Sequence, residues 1–150
     1  LIDTEIPAPD EHLPIPLSGF ADGIIEWNGR KVIEFKSINE AGFMHRKLYN
    51  KPKDDHYRQL QMYLAAFEID MGYVIYENKN SQELLIIEVE KNQIFIDKLF
   101  KKYGKIYQQY LDGNLPDRPY KKDSQSCKWC KLHDHCWSDQ EGVVEKENGK

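Results

Sequence analysis

The chain has 150 residues, of which 40% are hydrophobic and 12% aromatic, and its formal net charge is −4. This length and composition fit one globular domain with a core, and they exclude an intrinsically disordered chain. No apolar run approaches the roughly 20 residues that a membrane-spanning helix needs. No secretory leader is recognisable, so we expect a cytoplasmic protein without a membrane partner.

Periodicity and turn residues predict four strands and two long helices after an extended, proline-rich entry over residues 1–16. The strands are expected over 17–27, 31–37, 72–77 and 83–90. The helices are expected over 54–70 and 92–112, with an irregular or briefly helical segment, 38–53, before the first. Asp54 or Asp55 is the expected N-cap of the first helix, and Gly113 ends the second. This order predicts an α/β (α+β) fold in which helices flank a small central mixed β-sheet.

Three charged residues, Asp22, Glu34 and Lys36, interrupt the first two strands, which read GFADGIIEWNGRKVIEFKS. A two-residue turn at Asn28-Gly29 would place Asp22 opposite Phe35. A three-residue loop over 27–29, with Gly29 in the left-handed region, would place Asp22 opposite Glu34 with side chains about 5 Å apart. We prefer the second register because it separates an apolar face from a mixed face, whereas a slip would carry charge into the core.

The preferred register divides the hairpin side chains into two sets. The apolar face, expected to pack on the core, contains Ala21, Gly23, Ile25, Ile33 and Phe35. The mixed face contains Phe20, Asp22, Ile24, Glu26, Arg30, Val32, Glu34 and Lys36.

The two carboxylates of the mixed face suggest a cation site. They repel each other unless a cation lies between them, and Mg²⁺ prefers oxygen ligands of this kind. A bound ion can activate a water molecule and stabilise charge on a phosphoryl group. Lys36 on the same face could position that water or neutralise developing charge. The alternative is a surface cluster of salt bridges, which the spacing alone slightly favours.

Basic residues concentrate in two stretches in spite of the negative total charge. Between Lys101 and Lys131 there are eight Lys/Arg against three Asp, and residues 45–58 are also locally rich in base. Solvated helix faces are the ordinary explanation, which these stretches alone favour. A basic groove for nucleic acid is the alternative, because binding follows the local field rather than the net charge.

Two motifs carry a resemblance to a known family. GFADG followed by VIEFKS resembles the D…(D/E)xK core of the PD-(D/E)xK nucleases, and HYRQLQMYLAAF resembles the QxxxY motif of their RecB-like branch, matching at Gln59 and Tyr63. These two residues are four apart and share one helix face. A polar Gln beside a core Tyr is the alternative, common in any amphipathic helix. The resemblance implies a restriction-endonuclease-like core over 17–113.

The resemblance also assigns roles to single residues. It implies that Asp22 and Glu34 hold Mg²⁺ or Mn²⁺, with the Phe35 backbone carbonyl as a further ligand. It implies that Lys36 is the catalytic lysine. Gln59 and Tyr63 would orient water or phosphate.

The cysteines, Cys127, Cys130 and Cys136, form a CxxC with a third Cys six residues later, in CKWCKLHDHC. Clustered thiols without a secretion signal indicate metal ligands rather than disulfides. The spacing is similar to that of the iron–sulfur RecB-like nucleases, of the AddB type and the CRISPR-associated exonucleases, in which a fourth, upstream cysteine completes a [4Fe–4S] site.

This chain has only three cysteines, so the fourth ligand is open. It could belong to an N-terminal helical segment preceding Leu1, which we expect to be missing. Alternatively His133 or His135 could complete a zinc site, since Cys₃His is an ordinary zinc ligand set. Three unliganded thiols are the remaining possibility.

The sequence thus predicts a metal-dependent DNA nuclease that hydrolyses phosphodiester bonds, as an exonuclease or DNA-end-processing enzyme. Its partners would be single-stranded DNA or duplex ends and a larger recombination or repair complex; phage replication and CRISPR adaptation are other settings. The whole chain would be one nuclease domain, with a cysteine cluster at 127–137 and a charged tail at 138–150. The alternative is a non-catalytic nucleic-acid-binding or interaction module that retains a nuclease fold.

Overall fold

A computed structural model describes residues 3–138 and contains a five-stranded sheet in the order β1-β2-β3-β4-β5. The strands are β1 (Asp3–Pro7), β2 (Phe20–Glu26), β3 (Arg30–Ile38), β4 (Met71–Asn78) and β5 (Leu84–Glu90). Strands β3 and β4 are parallel, and the other neighbouring pairs are antiparallel. The predicted mixed sheet with flanking helices is therefore confirmed.

The helices fill the connections that the sheet requires. They are α1 (Glu40–Tyr49), α2 (Asp54–Ala66), α3 (Gln93–Leu111), α4 (Gln125–Lys128) and α5 (His133–Cys136). Helices α1 and α2 form the crossover between the parallel strands β3 and β4, as such a connection demands. Gly113, with φ of +73°, follows α3 and ends it as predicted.

One of two local predictions at the helix starts needs correction. The segment 38–53, predicted to be irregular or briefly helical, contains the helix α1 of ten residues, whose N-cap, Asn39, accepts a hydrogen bond from the Gly42 N–H at 2.9 Å. The N-cap of α2 is Lys53, without a side-chain cap, rather than Asp54 or Asp55. Both aspartates lie in the first helical turn, where a negative charge is favourable beside the positive end of the helix dipole.

The entry, predicted to be extended and loop-like, contains the edge strand β1. It pairs with β2 in a constant register, including Thr4↔Gly23 and Ile6↔Ala21. Glu5, with φ of +50°, lies between these pairs and therefore opposite Asp22. The prolines hid the strand in the sequence, although an edge position tolerates proline because one side of the strand needs no ladder partner.

Most of the hairpin's core residues lie on the mixed face, so the predicted core face is wrong except at Ala21, which is buried in the core cluster. Ile24 and Val32 are 2% and 0% exposed and pack with Leu60 and Leu64 of α2. On the opposite face Phe35 is 42% exposed, and Ile25 and Ile33 are only partly buried. Both faces offered apolar side chains, and the crossover helices cover the one that also carries the acids.

By contacts the chain divides into two compact units, one ending at Lys105 and the other starting at Ile106. In the second unit, Arg118 Nε donates to the Cys136 carbonyl at 2.9 Å, and its guanidinium lies 4.4 Å from the Trp137 ring centroid. The single nuclease domain over 1–150 stays a prediction, and the tail beyond Ser138 lies outside the described residues. Within 3–138, no helix combines the length and apolar character that crossing a bilayer requires.

Candidate active site

The register of the β2–β3 hairpin is the one predicted from the sequence. Glu26 pairs with Arg30 and Gly23 with Ile33, leaving a three-residue loop in which Gly29 has φ of +96°. A glycine is needed there because other residues rarely adopt this conformation. The paired residues end at Gly23 and Ile33, so Asp22 and Glu34 are the next residues of the two strands.

Asp22 joins the two strands through its side chain. Its Oδ2 accepts a hydrogen bond from the Phe35 N–H at 2.7 Å. The bond holds the exposed carboxylate of Asp22 against β3, next to Glu34. Its negative charge there contributes to raising the pKa of Glu34.

Glu34 is a carboxylate buried away from water. It is 0% exposed, and apart from an ion pair with Lys36 no polar contact to either carboxylate oxygen is found within residues 3–138. Burial raises its pKa above the ordinary value of 4.5, and Asp22 raises it further, while Lys36 lowers it. A buried anion of this kind is costly unless a positive charge compensates it.

Lys36 supplies part of that compensation. Its Nζ forms an ion pair with Glu34 Oε1, and its side chain is 25% exposed, so the ammonium reaches both the buried acid and solvent. One lysine faces two acids, which leaves the group short of positive charge. A divalent cation held by oxygen ligands fits this deficit. Asp22, Glu34 and the Phe35 carbonyl are the groups that would hold it.

Gln59 and Tyr63 lie on α2, which covers the same face of the sheet. Gln59 Nε2 donates to the Tyr63 hydroxyl at 3.3 Å, so the predicted stacking of the pair on one helix face is present. Tyr63 is 6% exposed and belongs to the core cluster. In the described part of the chain, no hydrogen bond joins either residue to Asp22, Glu34 or Lys36. Their roles as orienting residues stay a prediction.

Gly19 sets the position of Tyr63, and we expect its replacement to disturb the pair. A Cβ at Gly19 would stand 2.9 Å from the Tyr63 hydroxyl, too close for contact without displacement. Gly19→Ala should therefore break the Gln59–Tyr63 bond and destabilise the protein by about 1–3 kcal/mol in denaturant unfolding. If the pair orients the substrate, nuclease activity should fall about tenfold as well.

Two further variants make the Gly19 experiment specific. Gly104→Ala is the matched control, since a Cβ there would meet only Ile15 at 3.8 Å, an ordinary contact. In the Tyr63→Phe background, which lacks the hydroxyl, Gly19→Ala should cost less. An equal cost in both backgrounds would show that the clash is not the cause.

The structure adds residues that the sequence analysis did not identify. His56 Nδ1 lies 2.9 Å from the hydroxyl of Tyr76, which also accepts the Lys53 N–H at 3.0 Å. Tyr76 is 0% exposed and lies beside Lys36 in the parallel register. The sequence contained one signal for His56. It precedes Gln59 by three residues, so the two side chains lie on neighbouring parts of the same helix surface.

The cysteines are not prearranged as a site. Cys127 and Cys136 are partly buried and Cys130 is exposed, and all three are free thiols. Across residues 3–138, no three His, Cys, Asp or Glu side chains lie together as a group that could hold a metal ion. The cluster, with its histidine alternatives, stays a prediction without support from this geometry.

Comparisons with solved structures show the fold. LHK-Exo in complex with dAMP aligns with a TM-score of 0.56 at 17% identity, covering 72% of this chain and 59% of LHK-Exo. Another structure of LHK-Exo, an alkaline exonuclease from Laribacter hongkongensis, gives a TM-score of 0.49 at 16% identity, covering 63% of this chain and 53% of that one. The structure of SSO0001 gives a TM-score of 0.47 at 24% identity, covering 77% of this chain and 48% of SSO0001. The chain thus spans about three fifths of the length of LHK-Exo, at 59%.

The sequence itself matches a known protein family. No curated protein matches this sequence. The family model described as the PD-(D/E)XK nuclease superfamily matches residues 2–137, which include both hairpin acids, Lys36 and the α2 motif. The chain belongs to the PD-(D/E)XK nuclease superfamily.

Proposed function

We propose that this chain is a RecB-like, divalent-metal-dependent deoxyribonuclease that hydrolyses phosphodiester bonds. The observation that carries the proposal is the buried Glu34 carboxylate, which has no polar partner within residues 3–138 apart from its ion pair with Lys36 and lies beside Asp22. A buried charge with so little compensation destabilises the fold. Such a group is typical of a functional site, where stability is given up for activity.

Each residue of the site has a chemical task in this proposal. Asp22 and Glu34, with the Phe35 carbonyl, would hold Mg²⁺ or Mn²⁺. The bound ion supplies an activated water and neutralises charge on the phosphate. Lys36 lies at the boundary between Glu34 and solvent, where its ammonium can orient the attacking water and stabilise the negative charge that develops. Gln59 and Tyr63 orient the water or the phosphate.

The mode of action extends the proposal. LHK-Exo, with which this chain shares its fold, is described as an alkaline exonuclease. We propose that this chain also acts on DNA ends, single-stranded or duplex, as an exonuclease or end-processing enzyme. A cytoplasmic setting in recombination, repair, phage replication or CRISPR adaptation, with a larger repair complex as partner, belongs to the same proposal.

The decisive assay uses end-labelled single-stranded and duplex DNA with Mg²⁺, with Mn²⁺ and with EDTA. Cleavage that requires the metal and starts at a labelled end supports the proposal. Binding without cleavage in all three conditions would leave a nucleic-acid-binding module as the better description.

We also propose that Cys127, Cys130 and Cys136 bind a metal, as part of a [4Fe–4S] site or as a zinc site with His133 or His135. Such a metal would stabilise the fold directly. Elemental analysis of anaerobically purified protein distinguishes iron from zinc.

A cysteine variant tests this second site. Cys130 is exposed, so Cys130→Ser should change the melting temperature little in the presence of a chelator. In the metal-loaded protein the same change should lower the melting temperature by several degrees. Ser126→Ala is the control. The proposed cysteine site would be contradicted if the purified protein contained neither iron nor zinc. Equal melting temperatures of parent and variant in both conditions would contradict it as well.

A further inference from the structure

A cavity of about 500 Å³ opens between the start of α1 and the start of α2, a volume within the range of small-molecule sites. Its lining includes Ile38, His45, Arg46, Lys53, His56 and Tyr76. No carboxylate is among the described residues that line it.

The cavity adjoins the candidate active site along the sheet. Ile38 follows Lys36 on the same face of β3, two residues or about 7 Å further along the strand. Tyr76 is the parallel-register partner of Lys36 and forms part of the cavity wall. A ligand that spans both places would therefore touch Lys36 at one end and the cavity at the other.

Arg46 is the cation best placed for a ligand. One of its nitrogens, Nη1, donates to the Lys51 carbonyl at 3.3 Å, and Nη2 contacts His45 Nδ1. Across residues 3–138, Arg46 forms no ion pair with a carboxylate. The guanidinium is thus held in place by neutral partners and keeps its full charge beside the cavity, which suits an anion with several oxygens.

Two acids, Asp55 and Glu34, act on the cavity residue Tyr76, and each is paired with a lysine. Asp55 pairs with Lys53 at 2.8 Å, and its Oδ1 lies 3.8 Å from His56 Nε2. Glu34 pairs with Lys36. Arg46 is therefore the cation beside the cavity that keeps its charge uncompensated within residues 3–138.

His56 lies among these charges. The Tyr76 hydroxyl accepts the Lys53 N–H and lies 2.9 Å from His56 Nδ1. The pKa of His56 is lowered, first by burial, and then by the positive charges of Lys36, Lys53 and Arg46, against the opposing effect of Asp55.

We propose that this cavity binds a phosphate group of the DNA strand, next to the phosphate that lies at Asp22 and Glu34. Arg46 pairs with the phosphate oxygens, and the apolar wall formed by Ile38 and Ala41 accommodates the attached sugar. The proposal rests on the proposed nuclease function for the source of the phosphate, but its first test does not use cleavage.

The first test follows the five histidines by NMR during titration with inorganic phosphate, in EDTA. We expect the imidazole signals of His45 and His56 to shift and the pKa of His56 to rise, because a bound anion favours the imidazolium. The signals of His12, His133 and His135, which do not line the cavity, are internal controls. Arg46→Gln should weaken phosphate binding at least tenfold. Absence of any shift at His45 and His56, or equal shifts at all five histidines, would overturn the proposal.

The second test measures binding of single-stranded DNA in EDTA as a function of salt. Loss of one phosphate contact should reduce the slope of log K against log salt by about 0.7 in Arg46→Gln. Arg30→Gln, an exposed arginine at the hairpin loop, should leave the slope unchanged. A 5′-phosphorylated and a 5′-hydroxyl oligonucleotide distinguish a terminal from an internal phosphate.

The two proposals can fail separately. Phosphate binding at His45 and His56 in a protein that cuts no DNA would keep the cavity site and remove the nuclease. Metal-dependent cleavage with an unchanged salt slope in Arg46→Gln would keep the nuclease and remove the cavity site.

Discussion

Replacing Lys36 by alanine is expected to lower the rate of DNA cleavage by about 100-fold or more, because the positive charge beside the reacting phosphate is lost. Asp22→Asn and Glu34→Gln should lower it at least as much, since each removes a carboxylate that would hold the metal ion. The measurement is single-turnover cleavage of end-labelled DNA at saturating enzyme, so that the chemical step is observed.

The chain contains a matched control for this experiment. Lys47 pairs with Glu83 at 2.6 Å, with both side chains about half exposed at 49% and 46%. Lys47→Ala thus removes a lysine–glutamate pair from the surface rather than from the core, and should cleave DNA at close to the parent rate. Near-parent cleavage by Lys36→Ala, or an equal loss in Lys47→Ala, would contradict the role of Lys36.

Glu34→Gln is also expected to stabilise the metal-free protein. The change removes a buried negative charge whose one charged partner within 3–138 is Lys36, and Lys36 is exposed enough to turn toward solvent when the pair is lost. We expect the free energy of unfolding at pH 7.5 in EDTA to rise by about 1 kcal/mol or more. For a chain of this length, that corresponds to a melting temperature higher by about 2–4 °C.

The pH dependence of this gain follows from the raised pKa of Glu34. The folded protein takes up the proton at a higher pH than the unfolded chain, so the wild type gains stability as pH falls from the folded pKa toward the ordinary value of 4.5. Above that window the cost of the charge is fully present. The advantage of Glu34→Gln should therefore be largest at neutral pH and shrink on acidification.

Added metal is expected to reverse the order of stability of the wild type and Glu34→Gln. Millimolar Mg²⁺ or Mn²⁺ should raise the melting temperature of the wild type, because the ion binds only the folded state. Glu34→Gln should respond much less. A variant that is less stable than the wild type in EDTA at neutral pH would show that Glu34 contributes to the fold rather than to a site.

The hairpin was predictable because local chemistry determines it. Asn28-Gly29 marks the turn, the alternation of side chains limits the register, and only the three-residue loop places Asp22 opposite Glu34. The observed pairing of Glu26 with Arg30 is this register. The same locality explains why the family motifs could be placed on strand, strand and helix.

The side of the sheet that carries the core was not predictable in this way. Ile24 and Val32 on one face, and Ile25 and Ile33 on the other, are equally apolar in the sequence. The choice depends on where the α1–α2 crossover lies, which is a tertiary property. The assumption that acids avoid the core face was wrong, because Glu34 is buried among core residues.

The cavity was predictable only in part. Arg46 and His56 lie in the basic stretch 45–58, for which a nucleic-acid groove was one alternative, but nothing in the sequence linked this stretch to Tyr76. The parallel pairing of β3 with β4 brings Tyr76 beside Lys36. Parallel neighbours joined by a long crossover cannot be registered from sequence alternation alone.

The left-handed residue Glu5 has a consequence for the mechanical character of the sheet. Glu5 lies in β1, opposite Asp22 of β2. Toward β3, the side-chain carboxylate of Asp22, rather than the β2 backbone, accepts the Phe35 N–H. Asp22 thus lies exposed where the backbone pairing of β2 with β3 ends, whereas Glu34 is buried and pairs with Val74 of β4. If the two acids hold a metal ion as proposed, we expect ions of unequal radius, such as Mg²⁺ and Mn²⁺, to be accommodated by movement of Asp22 rather than of Glu34.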